Sequence, residues 1–338
     1  MNHRSKSVLR IAGIVVGLGV VVLGVKWTGA GAIHRAMSQV GLNIVWMFAA
    51  YAAGTAVAAL PWRRLFPTLL RPSWGATLAS RFAASGLNAL VPFFGLGEAA
   101  RLLWLRSGER TPGLAALVVD RLLFIAAGTP ILLLAAAAAM RVPAVPRSYE
   151  IAVLASAAVI SIAVVVVAIG AARGRLVGKM RWALVLFGVP PVGKAGAGKN
   201  GKEGDIDPID RGLHTLLTGA RAPIASGFAL HVCARLLLAA EIYAGLQILG
   251  AHVGPLGTLI FIAIPIGLSV VGSFVPGQIG LQEGATALVA AALGIGPATG
   301  IALVFLQRLR QLVFVPLAGL LIAVVPYGPR TSDPQGSS

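Results

Sequence analysis

Six stretches of this chain run without a single Asp, Glu, Lys or Arg: Ala36 to Trp62, Leu122 to Met140, Ile151 to Ala172, Ile242 to Gln282, Gly284 to Gln307 and Gln311 to Pro329. Each approaches or exceeds the roughly 20 apolar residues that carry a helix across a bilayer. Charged residues make up only 12% of the chain and mean hydropathy is +0.86, against about a quarter charged in an average soluble domain. The expected class is therefore an all-α, polytopic membrane protein. Ile11 to Val25 is shorter, but Arg10 and Lys26 flank it and can snorkel to the two interfaces, which predicts a first spanning helix. No small-x-small cleavage site precedes Lys26 and Trp27, so this segment is expected to be retained and not cleaved as a signal peptide.

The net charge of +17 invites a nucleic-acid reading, but the distribution of the charge excludes it. Outside the expected helices, Lys and Arg gather at Arg4 to Arg10, Arg63 to Arg110 and Arg173 to Arg221, with Arg330 near the end, while the loops at 26 to 40, 141 to 150 and 249 to 256 hold only Lys26, Arg35, Arg141 and Arg147. Alternate basic loops follow the positive-inside rule, which predicts an inner (cell) membrane protein with both termini cytoplasmic. Basic and aromatic residues do not interleave as a base-stacking surface requires. The expected partners are membrane lipids, not nucleic acid. The single cysteine, Cys233, lies mid-span and rules out an intramolecular disulfide or a cysteine-based metal site; neither metal nor cofactor is expected.

Orientation then poses an arithmetic problem. Residues 61 to 112 must begin and end in the cytoplasm, yet Phe82 to Glu98 is apolar around Pro92. A re-entrant hairpin over about residues 74 to 106 resolves it. Ile260 to Leu293 is likewise interrupted by Pro276, Gly277 and Gly280, predicting a second hairpin over about 258 to 295. Aligning Gly95-Leu96-Gly97-Glu98 with Gly280-Leu281-Gln282-Glu283 places Pro112 and Pro297 fourteen residues after each glutamate, with Arg121 and Arg308 following. The expected architecture is about six transmembrane helices plus two broken-helix hairpins in an inverted repeat, the arrangement of many carriers. It divides into a first half (1 to 172), a basic cytoplasmic linker (173 to 221), a second half (222 to 326) and a disordered tail (327 to 338), all one membrane domain.

The breaks have a physical purpose. Proline removes an N–H and clashes with the preceding turn, and Gly95, Gly97, Gly277 and Gly280 let the backbone turn tightly. Freed backbone groups at membrane depth must face protein or a wet cavity. Glu98 and Glu283 then stand near the start of a half-helix, whose positive end favours a carboxylate or an anionic ligand. A charge at the bilayer centre costs at least ~2.5 kcal/mol, so such residues are usually paired and functional. The acids Glu98, Asp120, Glu241 and Glu283 are matched by Arg121, Arg235, Arg308 and Arg310. They serve either as glue between helices or, through Arg121, Arg308 and Arg235, as guanidinium forks for a lipid phosphate.

At "SGLNALVPFFGLGEAARLL", "VVDRLLF", "VPGQIGLQEGA" and "LQRLRQLV" the chain resembles the flippase-like integral membrane family typified by the transmembrane domain of lysylphosphatidylglycerol synthase, whose relatives include proteins associated with hopanoid lipids and archaeal glycosylation. The resemblance runs from about Val40 to Pro326. It implies a lipid translocator, with Asn88, Pro92, Glu98, Arg101, Asp120, Arg121, Pro276, Gly280, Glu283 and Arg308 at the family's motif positions. The substrate it implies is an amphipathic lipid that bears a phosphate or aminoacyl group or is of hopanoid type. Phe93 and Phe94 stand where smaller residues are expected. No soluble aminoacyl-transferase segment follows Pro326 in this sequence, so the resemblance does not carry lysyl-lipid synthesis, and no enzymatic activity is expected.

Other signals are weaker. "GKAGAGKN" from Gly193 ends in Asn200, where a P-loop needs Ser or Thr for magnesium, and reads as a Gly/Lys linker. Asp205-x-Asp207 in "GDIDPID" could ligate magnesium in a membrane-embedded lipid or glycosyl transferase, the alternative enzymatic reading. A non-transporting accessory subunit, a homo-oligomer or a partner of a lipid-synthesis enzyme are further alternatives. His231 and Arg235 lie one helical turn apart and read as a packed polar contact. "MRWALVLF", residues 180 to 187, reads as a short interfacial helix anchored by Trp182. In a Cys233→Ser background, cysteines at Lys26 and Arg147 are expected to react with an impermeant thiol reagent from outside, whereas those at Arg71, Arg110 and Gly201 stay protected. External labelling at Arg110 would remove the first hairpin.

Overall fold

The structure, a computed structural model, describes residues 40–67, 70–90, 96–105, 110–173, 208–271 and 281–325. The chain is helical throughout these residues, with no strand among them. After a 3-10 turn at Gly41–Asn43, the helices are α1 Ile44–Val57, α2 Leu60–Arg64, α3 Trp74–Leu90, α4 Leu96–Arg101, α5 Arg110–Ala126, α6 Gly128–Ala139, α7 Arg147–Ala172, α8 Pro208–Gly219, α9 Arg221–Ile248, α10 Pro255–Val271, α11 Leu281–Ala292 and α12 Pro297–Val324. Five stretches are long and apolar enough to cross a membrane among the described residues: Gly41–Arg64, Thr111–Ala139, Arg147–Ala172, Arg221–Ile248 and Pro297–Val324. The segment Ile11 to Val25, the break residues Pro92, Gly95, Pro276, Gly277 and Gly280, the stretch 180 to 187, Asp205, Asp207 and the tail from 327 lie outside the described residues.

The charge-free runs located the hydrophobic mass but misplaced several boundaries. Arg235 and Glu241 lie inside α9, Asp120 and Arg121 inside α5, and Arg308 and Arg310 inside α12. A spanning helix tolerates charges when its neighbours pair them, so runs cut at each charge underestimate its length. The linker expected over 173 to 221 likewise ends early. Its last part is α8, which buries Ile209 and Leu213 against the core around Trp62, Leu114 and Leu117. Apolar residues at i and i+4 give α8 one face to bury.

Where the first broken helix was expected, α3 and α4 flank residues 91–95 and pack on each other. Around the second, α10 and α11 flank residues 272–280 and also touch. The two halves interlock reciprocally: α3 of the first packs against α12 of the second, and α10 of the second packs against α6 of the first. Between them α1 lies along α9, closely enough that a Cβ on Gly54 would come 3.2 Å from the Ala234 carbonyl oxygen. Small residues do this work because lipid gives no hydrophobic drive to helix association, leaving van der Waals contact to supply it. Ala76, Ala79, Ala83 and Ala318 form the α3–α12 seam. The outer surface is apolar, with Ile151, Ile162 and Val165 of α7 exposed together with Trp46 and Leu288, as lipid contact requires.

Two glycines are obligatory contacts of this interlock. A Cβ on Gly97 would collide with the Ala84 carbonyl and lie 2.5 Å from Asn88 Oδ1, and one on Gly300 would lie 2.8 Å from the Ala287 nitrogen. Gly97→Ala and Gly300→Ala are each expected to destabilise by about 1 to 3 kcal/mol through overpacking. Gly319→Ala, at a helical site with nothing within 4 Å, is expected to be neutral or to stabilise by about 0.5 to 1 kcal/mol. Thermal unfolding in detergent separates the three, and equal midpoints would refute the close approach.

Candidate buried charge network

The first break brings two carboxylates into a nest of cations. Glu98 lies in the first turn of α4, and the three-residue spacing to Arg101 stacks both side chains on one face. Arg101 Nη1 donates to Glu98 Oε2 at 3.0 Å and to Asp120 Oδ2 of α5 at 2.7 Å. Its guanidinium also lies over the Trp62 ring, 4.5 Å from the centroid. On the far side of Asp120, His231 Nε2 of α9 meets Oδ1 at 3.0 Å. Glu98, Arg101, Asp120 and His231 are each at most 2% exposed. Such groups are stable in a dry interior only if charge and hydrogen bonds are largely compensated, and this chain of contacts provides that across α2, α4, α5 and α9.

A second tier of arginines surrounds this centre. Arg81 of α3 approaches Glu98 Oε1 at 3.7 Å and Arg121 approaches the same oxygen at 3.9 Å, ion pairs too long to be hydrogen bonds. Arg235 donates to the Phe124 carbonyl at 2.7 Å. The Phe124 ring has three guanidinium groups about it, with Arg235 at 4.3 Å, Arg121 at 5.1 Å and Arg81 at 5.4 Å from its centroid, and His231 edge-on at 5.5 Å.

Several expectations change here. Glu98 was expected to pair with Arg121, but Arg101 is nearer, because it sits one turn along the same helix. His231 was read as a contact of Arg235; instead it serves Asp120, on another helix. Arg81 and Arg101 were counted with the basic stretch from Arg63 to Arg110, yet both are buried; residue type alone does not tell a headgroup-facing arginine from one turned into the protein. Asn88 accepts a hydrogen bond from the Gly97 N–H at 3.2 Å, so its described contact ties α3 to α4 and satisfies an orphan donor of α4. Sequence reasoning missed Arg81, Trp62 and Phe124. Arg81 was legible only as a lone cation within an apolar stretch.

In the second half, Glu283 of α11 pairs with Arg308 of α12 as expected, and Gln282 Nε2 donates to Gln307 Oε1 at 3.0 Å. Arg310 pairs with Glu241 and lies over Tyr51, 3.8 Å from its centroid. The two glutamates were expected to be equivalent. Their settings differ: the Glu98 side chain is 3% exposed and Glu283 is 20%. No group of three His, Cys, Asp or Glu stands together as a metal site among the described residues.

A polytopic helical domain with buried, paired charges bears on descent directly. The chain belongs to the family described as the lysylphosphatidylglycerol synthase TM region, whose family model matches residues 10–319. No curated protein and no solved structure matches it. The matched region includes the charge network, so the network belongs to a lysylphosphatidylglycerol synthase TM-region domain.

Asp120 joins Arg101 of α4 to His231 of α9, which no other described residue does, and removing one partner from a buried pair costs about 3 to 5 kcal/mol. Asp120→Asn is expected to show a loss of that order in thermal unfolding. Arg121→Gln, whose side chain is 29% exposed, is expected to lose no more than about 1 kcal/mol. An unchanged midpoint for Asp120→Asn would mean that the network does not hold the helices.

Proposed function

We propose that this protein moves an amphipathic lipid between the leaflets of the cell membrane, as a carrier and not as an enzyme. The observation that carries this is that three buried guanidinium groups, those of Arg81, Arg101 and Arg235, stand around two buried carboxylates, Glu98 and Asp120, among the described residues, where two halves of the chain interlock. A buried cluster with more cations than carboxylates favours an anion, and arginine forks suit the oxygens of a phosphate group. The reciprocal packing of α3 on α12 and of α10 on α6 supports an inverted repeat with two re-entrant hairpins. Such repeats place the substrate near mid-membrane and rock against each other to open on alternate sides. Both termini are cytoplasmic in this proposal, following the basic loops. The pair Glu283–Arg308, more exposed than the pair Glu98–Arg101, acts as the gate that a passing headgroup opens.

Glu283→Gln tests the gate. The amide keeps volume and hydrogen-bonding capacity but removes charge, so movement of a fluorescent lipid in proteoliposomes is expected to stop while protein level and melting temperature hold. Combining it with Arg308→Gln is expected to recover any stability lost by either single change, yet to leave transport absent. Normal translocation by the stable double variant would reduce the pair to helix packing.

A further inference from the structure

We propose that Arg310 is the positioning residue of the second-half pair: held by Glu241 on one face of α12, it turns Arg308 on the other face toward Glu283. Its role in transport rests on the gate proposed above. Successive residues of a helix are turned by about 100°, so Arg308 and Arg310, two positions apart, stand about 200° apart around α12. Arg308 meets Glu283 of α11, and Arg310 meets Glu241 of α9. One helix thus carries two ion pairs that point nearly away from each other, and both depend on a single rotational setting.

The two pairs differ in what they can anchor. The side chains of Glu241 and Arg310 are 2% and 13% exposed, against 20% and 27% for Glu283 and Arg308. Opposite charges attract more strongly away from water, and a buried carboxylate deprived of its cation is costly, so Glu241 holds Arg310 more firmly than Glu283 holds Arg308. The Arg310 guanidinium also lies over Tyr51 of α1, 3.8 Å from the ring centroid. Phe314, one turn further on, meets Phe48 and Tyr51 edge-on with centroids 6.1 and 4.8 Å away. Arg310 and Phe314 share a face of the helix, and α1 and α9 seat it. The seam of α12 with α3 at Ala318 lies beyond Pro316, which is inside the helix. A proline has no N–H for the carbonyl four residues before it, here that of Leu312, so a weakened turn separates that seam from the gate. The setting of Arg308 is therefore fixed by Arg310 close by, not by the more distant Ala318.

The register of α12 on α11 can be read directly. Gln282 Nε2 donates to Gln307 Oε1 at 3.0 Å, so cysteines at these two positions, in the full chain with Cys233→Ser, come within reach of dibromobimane, which fluoresces when it bridges two thiols. Glu241→Leu with Arg310→Met removes both charges and leaves neither unpaired, a replacement that buried ion pairs often tolerate without loss of stability. In detergent this uncharged variant is expected to keep its melting midpoint yet to be bridged about tenfold more slowly, as the native register becomes a minor state. The exchanged pair, Glu241→Arg with Arg310→Glu, is expected to restore the rate. Bridging at the unaltered rate in the uncharged variant, or slow bridging that the folded exchanged pair does not correct, overturns the proposal. Lipid movement in vesicles keeps the two proposals distinct. Movement that survives Glu283→Gln defeats the gate and leaves the anchor to the bridging rate, whereas movement lost in Glu283→Gln, with bridging unaltered in the uncharged variant, defeats the anchor alone.

Discussion

Arg101 spans the gap between Glu98 and Asp120, and much of the first half is organised by that one side chain. In a medium of low dielectric an unpaired charge is so costly that the groups around it lose their freedom of position. Once Arg101 is buried at the end of α4, it must find carboxylates, and the nearest stable answer recruits α5 through Asp120 and then α9 through His231. Trp62 covers the guanidinium face from α2. Four separate helices are thereby fixed by contacts that water would have screened on a soluble surface.

Packing and electrostatics cooperate at this point. Gly97 lets α4 approach α3 at the level of Ala84 and Asn88, and that approach brings Glu98 within reach of Arg81. A bulkier residue would separate α3 from α4 and lengthen the ion pairs. In the second half Gly300 plays the corresponding part, with α12 approaching α11 at Thr286, and Glu283 and Arg308 meet across the same seam. Close backbone approach is thus what makes each glutamate available to its arginine.

The halves share a plan but not an environment. Glu98 is enclosed by three arginines, whereas Glu283 stays partly open. An enclosed, cation-rich centre suits retention of an anion, and a more accessible single pair suits exchange. That asymmetry assigns holding to the first half and gating to the second in the proposed transport cycle.

Much of this was legible in the sequence because membranes impose simple rules. Length and hydropathy alone determine that the chain spans a bilayer as helices. The intramembrane acids could be named because charge in hydrocarbon is rare. The partners could not. Whether Glu98 meets Arg101, Arg81 or Arg121, and whether Asp120 turns to Arg235 or to His231, depends on helix rotation and on backbone distances of an ångström or two. Those are set by small-residue contacts such as Gly54 on Ala234 and Gly86 on Ala318, between helices far apart in the chain. Sequence therefore determined that the intramembrane acids must be buried and paired, and only tertiary packing decided which arginines are buried with them, because that depends on several helices meeting at one place.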